Sequence, residues 1–188
     1  IIVGAFADDD SGSSSGSVYV YDANNLSATP TKLTAYDGTG GERFGWSVSA
    51  SDDKIVVGAY IGANGYGAAY VYDANDLSAQ PTKLTAYDGA MSDEFGYSVY
   101  ASDDKILVNA RYDDDNGSNS GSVYVYDATD LSAQPTKLTA FDGAANDMWG
   151  EAIAAISPSS ALNGVTVTQS DNVLTVTPGQ QDAAFTLN

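Results

Sequence analysis

The sequence predicts an all-β fold of repeated four-stranded antiparallel sheets, and three observations predict it. Residues 17–38 (SVYVYDANNLSATPTKLTAYDG) recur with few changes at 68–89 and 122–143, which is the mark of a tandem repeat. Within each copy, short runs rich in Val, Ile, Tyr and Thr stand between turn-forming residues, as β-strands do. No segment carries a sustained 3.6-residue apolar period with capping residues, so almost no helix is expected.

Four strands are predicted in each complete repeat. In the repeat that begins at Phe44 they cover residues 45–50, 54–60, 69–72 and 82–87. The first two are joined by the tight turn Ser-Asp-Asp-Lys at 51–54, which returns at 102–105. In residues 17–22 valine and tyrosine alternate, so both faces of that strand are apolar or aromatic. A small sheet covered by neighbours on both faces is typical of a β-propeller blade.

The repeats divide the chain into two predicted domains. A repeat domain covers residues 1–156; its N-terminal repeat lacks a first strand, which residues 149–156 would supply as a spare one. Residues 157–188 differ in composition and form a small β-rich appendage, with short strands predicted at 165–168, 173–177 and 184–187. This appendage is interpreted as a packed extension, the start of another domain or an oligomerisation segment.

The number of sheets leaves three arrangements open. Three blades are few for a propeller, which typically needs four or more. The repeats can continue in a longer protein, several chains can combine into a larger ring, or three sheets can close into a compact pseudo-threefold β fold. The exposed sheet edges of a short repeat array favour association.

Composition argues against several classes of function. The chain carries 25 acidic and 7 basic residues, a formal net charge of −18, which argues against nucleic-acid and anionic-lipid partners. It contains no Cys and no His, so neither thiolate chemistry nor the usual zinc, copper and iron sites are expected. No apolar run reaches the length needed to insert into a membrane.

Catalysis is not expected either. Carboxylates are the only candidate catalytic groups, and Glu42, Glu94 and Glu151 lie near the start of each repeat. The two carboxylates of a catalytic pair have different roles within a single asymmetric site, whereas these glutamates recur with every repeat. The sequence therefore predicts a protein that is not an enzyme and has no certain cofactor.

Two acidic loops are the candidate metal site. Three adjacent aspartates stand in each loop: Asp8, Asp9 and Asp10 in the first copy, and Asp113, Asp114 and Asp115 in the third. The middle copy has residues 61–67 (IGANGYG) instead. Oxygen ligands of this kind suit calcium. Adjacent side chains in an extended run point alternately, however, so a solvated turn in which Asp and Asn bond local backbone groups is the alternative.

Tyrosine supplies the candidate ligand-binding residues. Two tyrosines of each copy, such as Tyr70 and Tyr72, recur at matching positions and are interpreted as packing between repeats, with sugar stacking as the alternative. Residues that pack between repeats must be the same in every copy, whereas a binding face that occurs once needs residues that differ between copies. The candidates for ligand contacts are therefore the tyrosines that vary between copies: Tyr60, Tyr66, Tyr97, Tyr100 and Tyr112.

Short Phe-Gly and Gly-Ala motifs recur in register. Phe44-Gly45 is followed by Val57-Gly58-Ala59-Tyr60, Phe95-Gly96 repeats the start, and residues 1–6 (IIVGAF) match the later part. Over residues 1–156 the chain thereby resembles the FG-GAP repeat, the blade of integrin-α-like β-propellers, in a bacterial or phage type. The resemblance implies an extracellular module associated with adhesion. Such blades usually hold calcium between their first two strands, where this chain has only Ser-Asp-Asp-Lys, too short to wrap the ion.

Two functions follow from the repeats and the resemblance. The first is a structural module of a surface or virion assembly (a fibre, filament or decoration) that binds copies of itself or other subunits. The spare strand, the missing first strand and the β-rich appendage favour it. The alternative is a calcium-assisted glycan- or protein-binding adhesin domain of a bacterial cell-surface protein, which the family's association with adhesion favours. Both place the chain outside the cell, at a cell surface or on a virion.

Overall fold

In a computed structural model, the protein is described over residues 1–154, 166–170 and 173–177. The chain falls into two compact units, Ile1–Ala155 and Ile156–Asn188. Over its described residues the first unit contains three antiparallel sheets, and in each of them the strands lie side by side in chain order. The fold is therefore all-β with repeated sheets, as the sequence predicts.

Each sheet corresponds to one repeat. The first sheet consists of β1 (Ile2–Ala5), β2 (Ser17–Val20) and β3 (Thr31–Leu33). The second consists of β4 (Ser47–Ala50), β5 (Lys54–Ala59), β6 (Ala68–Asp73) and β7 (Thr82–Leu84). The third consists of β8 (Phe95–Ala101), β9 (Lys105–Ala110), β10 (Ser122–Asp127) and β11 (Thr136–Thr139). The four residues of α1 (Gly62–Gly65) are the one helical element in the described part of the chain, and they include positive φ angles at Ala63 and Asn64.

The second unit contains a β-hairpin. β12 (Thr166–Ser170) pairs with β13 (Val173–Thr177) in antiparallel fashion, with Thr166 opposite Thr177. Two of the strands predicted for this part of the chain, at 165–168 and 173–177, therefore correspond to observed strands. The third, predicted at 184–187, lies outside the described residues.

The sheets of the first unit pack face to face in chain order. β1 packs against β4, and β5 packs against β8. Side chains alternate along β5, so that Ile55 and Val57 join the core shared with the first sheet while Val56 joins the core shared with the third. Consecutive blades of a β-propeller are arranged in this way. The alternative closed fold needs the first and third sheets to pack together, and within residues 1–154 their strands show no extensive packing.

Two observed strands are shorter than predicted by two residues or more. The strand predicted at 82–87 ends at Leu84, because the carbonyl of Thr85 accepts a hydrogen bond from Tyr126 Oη of the next sheet (3.2 Å) instead of extending the ladder. The strand predicted at 45–50 begins at Ser47, two residues after Gly45, whose φ of 86° lies outside the extended region.

As far as residue 154, the two ends of the repeat domain are not paired. The first sheet has three strands, and β1 forms its edge. Residues 149–154 form no strand and begin beside the third sheet, where the Trp149 amide donates a hydrogen bond to Ser120 O (2.9 Å). Within the described residues, the predicted completion of the first sheet by residues 149–156 is therefore not formed.

Consecutive sheets approach most closely at two glycine pairs. A Cβ atom on Gly58 would lie 2.0 Å from Gly96 O, and one on Gly4 would lie 2.0 Å from Gly45 O. The backbone of each Phe-Gly motif thus rests directly on the Gly-Ala segment of the preceding sheet, with no room for a side chain between them. In the third repeat Asn109 takes the place of this glycine, and its Nδ2 donates a hydrogen bond to Trp149 O (3.0 Å).

We expect Gly58→Ala to lower the free energy of unfolding by about 2–3 kcal/mol, because the added methyl group forces two backbones apart. Gly62→Ala is the matched control, since a Cβ atom there meets no heavy atom closer than 3.4 Å. Urea unfolding of the two variants measures the difference. Equal stability of the two variants would show that the sheets do not depend on this close approach.

Candidate functional site

A carboxylate, a tyrosine and a lysine join the first sheet to the second. Asp37 follows β3, and its carboxylate accepts hydrogen bonds from Tyr70 Oη (2.8 Å) on β6 and Lys83 Nζ (2.6 Å) on β7. The ring of Tyr36 packs edge-on against the ring of Tyr70, with centroids 6.1 Å apart. Because Tyr70 is fully buried, its hydroxyl needs a partner inside the protein, and Asp37 provides it.

The same contact joins the second sheet to the third. Asp88 accepts hydrogen bonds from Tyr124 Oη (2.7 Å) on β10 and Lys137 Nζ (2.9 Å) on β11. The ring of Tyr87 packs edge-on against Tyr124 at 5.9 Å. Since both interfaces use matching positions of the repeat, we treat them as one device and call it the Asp–Tyr–Lys contact.

Each sheet therefore has two different faces. The tyrosine face carries the tyrosines of the third strand and the lysine of the fourth, for example Tyr70 and Lys83. The leucine face, on the other side, carries the leucine of the fourth strand and apolar residues of the third, for example Leu84 and Val71. At both internal interfaces the leucine face of one sheet packs on the tyrosine face of the next, which leaves Leu33 and Leu84 only 6% and 4% exposed.

The first acidic loop lies against the lysine of its own sheet. Asp8 accepts hydrogen bonds from Ser17 Oγ (2.8 Å) and Tyr19 Oη (3.1 Å), and it forms an ion pair with Lys32 (3.0 Å). The same Lys32 ammonium also contacts Asp10. Two of the three adjacent carboxylates in this loop are thus bound to a cation that the chain itself supplies.

The third repeat reproduces this arrangement. Asp113 accepts a hydrogen bond from Ser122 Oγ (2.9 Å) and pairs with Lys137 (2.8 Å), which pairs with Asp115 as well (2.7 Å). Lys137 reaches these carboxylates in addition to Asp88, and its side chain is only 9% exposed. The middle repeat has no acidic loop, and there Lys83 meets Asp37.

The middle aspartate of each triplet faces the loop backbone instead. Asp9 Oδ1 accepts the Ser14 amide (2.7 Å), and Asp114 Oδ1 accepts the Asn119 amide (2.6 Å). Among the described residues, no group of three or more carboxylates is placed to hold a metal ion. Calcium binding by the six loop aspartates at 8–10 and 113–115 stays a prediction. An ion bound there would have to displace Lys32 and Lys137 from these carboxylates.

These contacts lower the pKa values of the bound carboxyl groups. Hydrogen bonds from Lys32 and then Ser17 hold the pKa of Asp8 at about 2. Burial acts to raise the pKa of Asp37 and Asp88, but the hydrogen bonds from the tyrosine and lysine of the next sheet outweigh it, so both pKa values lie below their ordinary range. All three carboxylates are therefore ionised near neutral pH.

A second cluster forms at the strand ends that carry the Phe-Gly and Gly-Ala motifs. We call it the aromatic–arginine strip, and it consists of Phe6, Arg43, Trp46, Tyr60, Tyr97, Arg111 and Tyr112. Trp46 lies at its centre, with ring centroids 4.9 Å from both Phe6 and Tyr60 and 5.6 Å from Tyr97. The strip crosses all three sheets and combines flat rings with fixed cations.

Arg111 organises one end of the strip. Its guanidinium carbon lies 3.7 Å from the ring centroid of Tyr97 and 4.4 Å from that of Tyr112. Glu94 (2.7 Å) and Glu151 (3.3 Å) hold the guanidinium in place. Two rings and two carboxylates thus fix the position of this guanidinium.

The structure brings together three of the five predicted ligand-binding tyrosines. Tyr60, Tyr97 and Tyr112 lie in the strip, although Tyr60 is only 7% exposed and serves mainly as packing. Tyr66 follows α1 and is exposed, and Tyr100 is half-buried on β8; neither belongs to the strip. Sequence reasoning missed Phe6 and Trp46, although they occupy the positions directly after a Gly-Ala and a Phe-Gly motif, where the other repeats have Tyr60 and Tyr97.

The comparison with family models agrees with this geometry. A model described as FG-GAP repeat matches residues 29–72 and 79–126. This chain is an FG-GAP repeat protein. Each match runs from the last strand of one sheet to the tyrosines on the third strand of the next, so a single family unit includes the interface between two sheets.

FG-GAP repeats are generally extracellular interaction or adhesion modules, and their β fold is typically non-enzymatic. A comparison with curated proteins found no match. No helix in the described part of the chain is long and apolar enough to cross a bilayer. The family thus supports an interaction role without naming a partner.

The lowered pKa of Asp88 predicts how its contact responds to acid. The folded pKa lies below the ordinary 3.8, so the contribution to stability is present above about pH 4 and is lost as the pH falls through the folded pKa. We expect Asp88→Asn to cost about 1–2 kcal/mol at about pH 6 and much less at about pH 2. Urea unfolding at both pH values measures this difference.

Asp103→Asn is the control for this measurement. Asp103 is exposed in the tight turn before β9, and its carboxylate has no hydrogen-bond partner within residues 1–154. Its replacement should leave stability unchanged at both pH values. Protonation also relieves the net negative charge of the chain, so only the difference between each variant and the wild type is informative. An Asp88 effect that does not vary with pH would contradict the ionic contact.

Proposed function

We propose that the chain is a non-catalytic, extracellular structural module of a surface or virion assembly, such as a fibre, filament or decoration. One observation carries the proposal: the leucine face of the third sheet has no sheet packed on it within the described residues. Leu138 is 43% exposed there, whereas the equivalent Leu33 and Leu84 are 6% and 4% exposed. Trp149 and Gly150 border an apolar groove on this face that Leu107, Val123 and Leu138 line.

A non-catalytic role fits the way the carboxylates are used. Asp37 and Asp88 repeat one structural contact, and Asp8 and Asp113 each neutralise a lysine of their own sheet. Asp93, which is nearly buried, has a raised pKa, mainly because of burial, and accepts a hydrogen bond from the Ala90 amide (2.6 Å). A carboxylate bonded to its own loop in this way supports turn structure and needs no substrate.

A second candidate function is favoured by the aromatic–arginine strip. Flat rings beside fixed guanidinium groups suit a sugar face or an acidic peptide, so the chain would then be a calcium-assisted glycan- or protein-binding adhesin domain. Phe6, 38% exposed, offers the most accessible ring of the strip. Trp46, Tyr97 and Tyr112 are half-buried, and their rings already contact one another or an arginine, which makes this the weaker candidate.

Light scattering of the purified chain, paired with a glycan array, separates the two functions. The structural role predicts species larger than a monomer that grow with protein concentration, and no array signal. A monodisperse monomer that binds a glycan would contradict it. In that case Tyr97→Ala should abolish the signal if the strip is the site, while Tyr66→Ala, in an exposed tyrosine outside the strip, should retain it.

A further inference from the structure

The leucine face of the third sheet carries the carboxylate, aromatic and leucine positions that the two internal interfaces use, with Asn109 in place of the interface glycine. Phe141 matches Tyr36 and Tyr87 in the repeat, but it is 90% exposed whereas they are 52% and 53% exposed. Asp142 follows it at the position of Asp37 and Asp88, with no hydrogen-bond partner among the described residues. This face therefore presents a carboxylate, an aromatic ring and an apolar groove that are all ready for a tyrosine face.

The first sheet presents the matching tyrosine face. Val3 is 47% exposed, whereas the equivalent Val57 and Val108 are fully buried against the preceding sheet. Lys32 has the two carboxylate partners from its own loop that Lys137 has in the third repeat. Lys137 pairs in addition with a carboxylate of the preceding sheet, and within residues 1–154 Lys32 has no such third partner.

Residues 148–151 are folded as the start of a further repeat. The Trp149 amide bonds to Ser120 O (2.9 Å) as the Phe44 amide bonds to Ser15 O (3.0 Å). The Gly150 φ of 89° matches the 86° and 90° of the glycines in the two Phe-Gly motifs. In the second repeat such a segment leads into β4, which pairs with β5, whereas β1 has no neighbour on its outer edge among the described strands.

We propose that a second copy of this chain docks head to tail. The leucine face of the third sheet of one copy packs on the tyrosine face of the first sheet of the other. Asp142 of the first copy binds Lys32 and Tyr19 of the second. Residues 149–154 of the first copy pair with β1 of the second and complete a four-stranded sheet, with Ile153 opposite Val3, as Val48 lies opposite Val57.

The proposal rests on the proposed structural function and names the partner and the surface. A second copy is the occupant because the tyrosine face of its first sheet has the same residue types as the tyrosine faces of the second and third sheets, which fill the two internal interfaces. The contact also joins a lone carboxylate to a cation, which matters in a chain whose formal net charge is −18. Since the two faces differ, the contact is heterologous and continues from copy to copy into a ring or a filament.

Face-blocked variants test the proposal by sedimentation velocity. Leu138→Glu blocks the leucine face and Val3→Glu blocks the tyrosine face, and both positions are exposed, so folding should be retained. We expect each variant alone to associate at least about tenfold more weakly than the wild type, because docking would bury an unpaired carboxylate. An equimolar mixture should form a one-to-one dimer that grows no further, since each chain keeps one complementary face. Gln80→Glu, in the exposed connection between β6 and β7, is the control and should behave as the wild type.

Cysteine pairs test the register. The chain contains no Cys, so Ile153→Cys and Val3→Cys place one thiol on each of two chains. Directly opposed residues of antiparallel strands are close enough for a disulfide, and mixing the two variants under mild oxidation should give cross-linked heterodimers. Leu26→Cys, at an exposed connection, replaces Val3→Cys as the control and should give about tenfold less product.

The outcomes separate this proposal from the proposed function. Reduced association of each variant, rescue by mixing and selective cross-linking support head-to-tail docking. If both blocked variants still associate like the wild type, the docking surfaces are wrong while the structural role stands. A mixture that stays monomeric while the wild type associates also overturns the docking. A wild-type chain that is monomeric at every concentration overturns both self-association and the proposed docking.

Discussion

The Asp–Tyr–Lys contact between consecutive sheets is the interaction on which this structure depends. Tyr124 is fully buried, and a hydroxyl in that position is tolerated only with a hydrogen-bond partner. Asp88, at the end of the preceding sheet, accepts the shorter hydrogen bond from this hydroxyl (2.7 Å, against 3.1 Å to Asp113 of the same sheet) and at the same time holds Lys137. One carboxylate thereby fixes both the third and the fourth strand of the next sheet, which sets how the two sheets slide and rotate against each other.

The glycine pairs and the apolar cores stabilise the arrangement of sheets that this contact fixes. Gly58 and Gly96 bring two backbones together at one end of the interface, while Asp88 and its partners tie the other strands. Between these points lie Val56, Val71 and Leu84, which face Val108 and Tyr126 in a shared core. Apolar burial supplies most of the stabilisation but is not directional, so the polar contact and the steric limit at glycine select the arrangement.

The Asp–Tyr–Lys contact also explains how charge is distributed on the chain. Three of the lysines lie on tyrosine faces and are bound to carboxylates: Lys32, Lys83 and Lys137. Two more, Lys54 and Lys105, pair with aspartates in the tight turns. The remaining acidic residues give the chain its strong negative charge. Asp142, whose carboxylate has no partner within residues 1–154, and Lys32 at the other end of the array are therefore oppositely charged groups on an otherwise acidic surface.

Local patterns predicted the strands, because alternation and turn residues act over a few positions. The repeat also predicted burial of tyrosines such as Tyr70, since packing alone keeps such positions alike. The acidic loops show the limit: residue type favours calcium, but the position of Lys32 depends on a strand that lies far along the chain. The partnership of Asp37 with Tyr70 and Lys83 likewise joins two repeats, and it becomes visible only once the sheets are stacked. In the sequence, this contact was indicated only by the aspartate that follows the fourth strand of every repeat.

A double-mutant cycle between Asp88 and Tyr124 tests the central claim most directly. The free energy of unfolding is measured for the wild type, Asp88→Asn, Tyr124→Phe and the double variant. If the carboxylate and the hydroxyl stabilise the interface through each other, the two effects are not additive, and the coupling energy is about 1–2 kcal/mol. Effects that add to within about 0.3 kcal/mol would contradict the account and leave the stacking of the sheets to apolar packing alone.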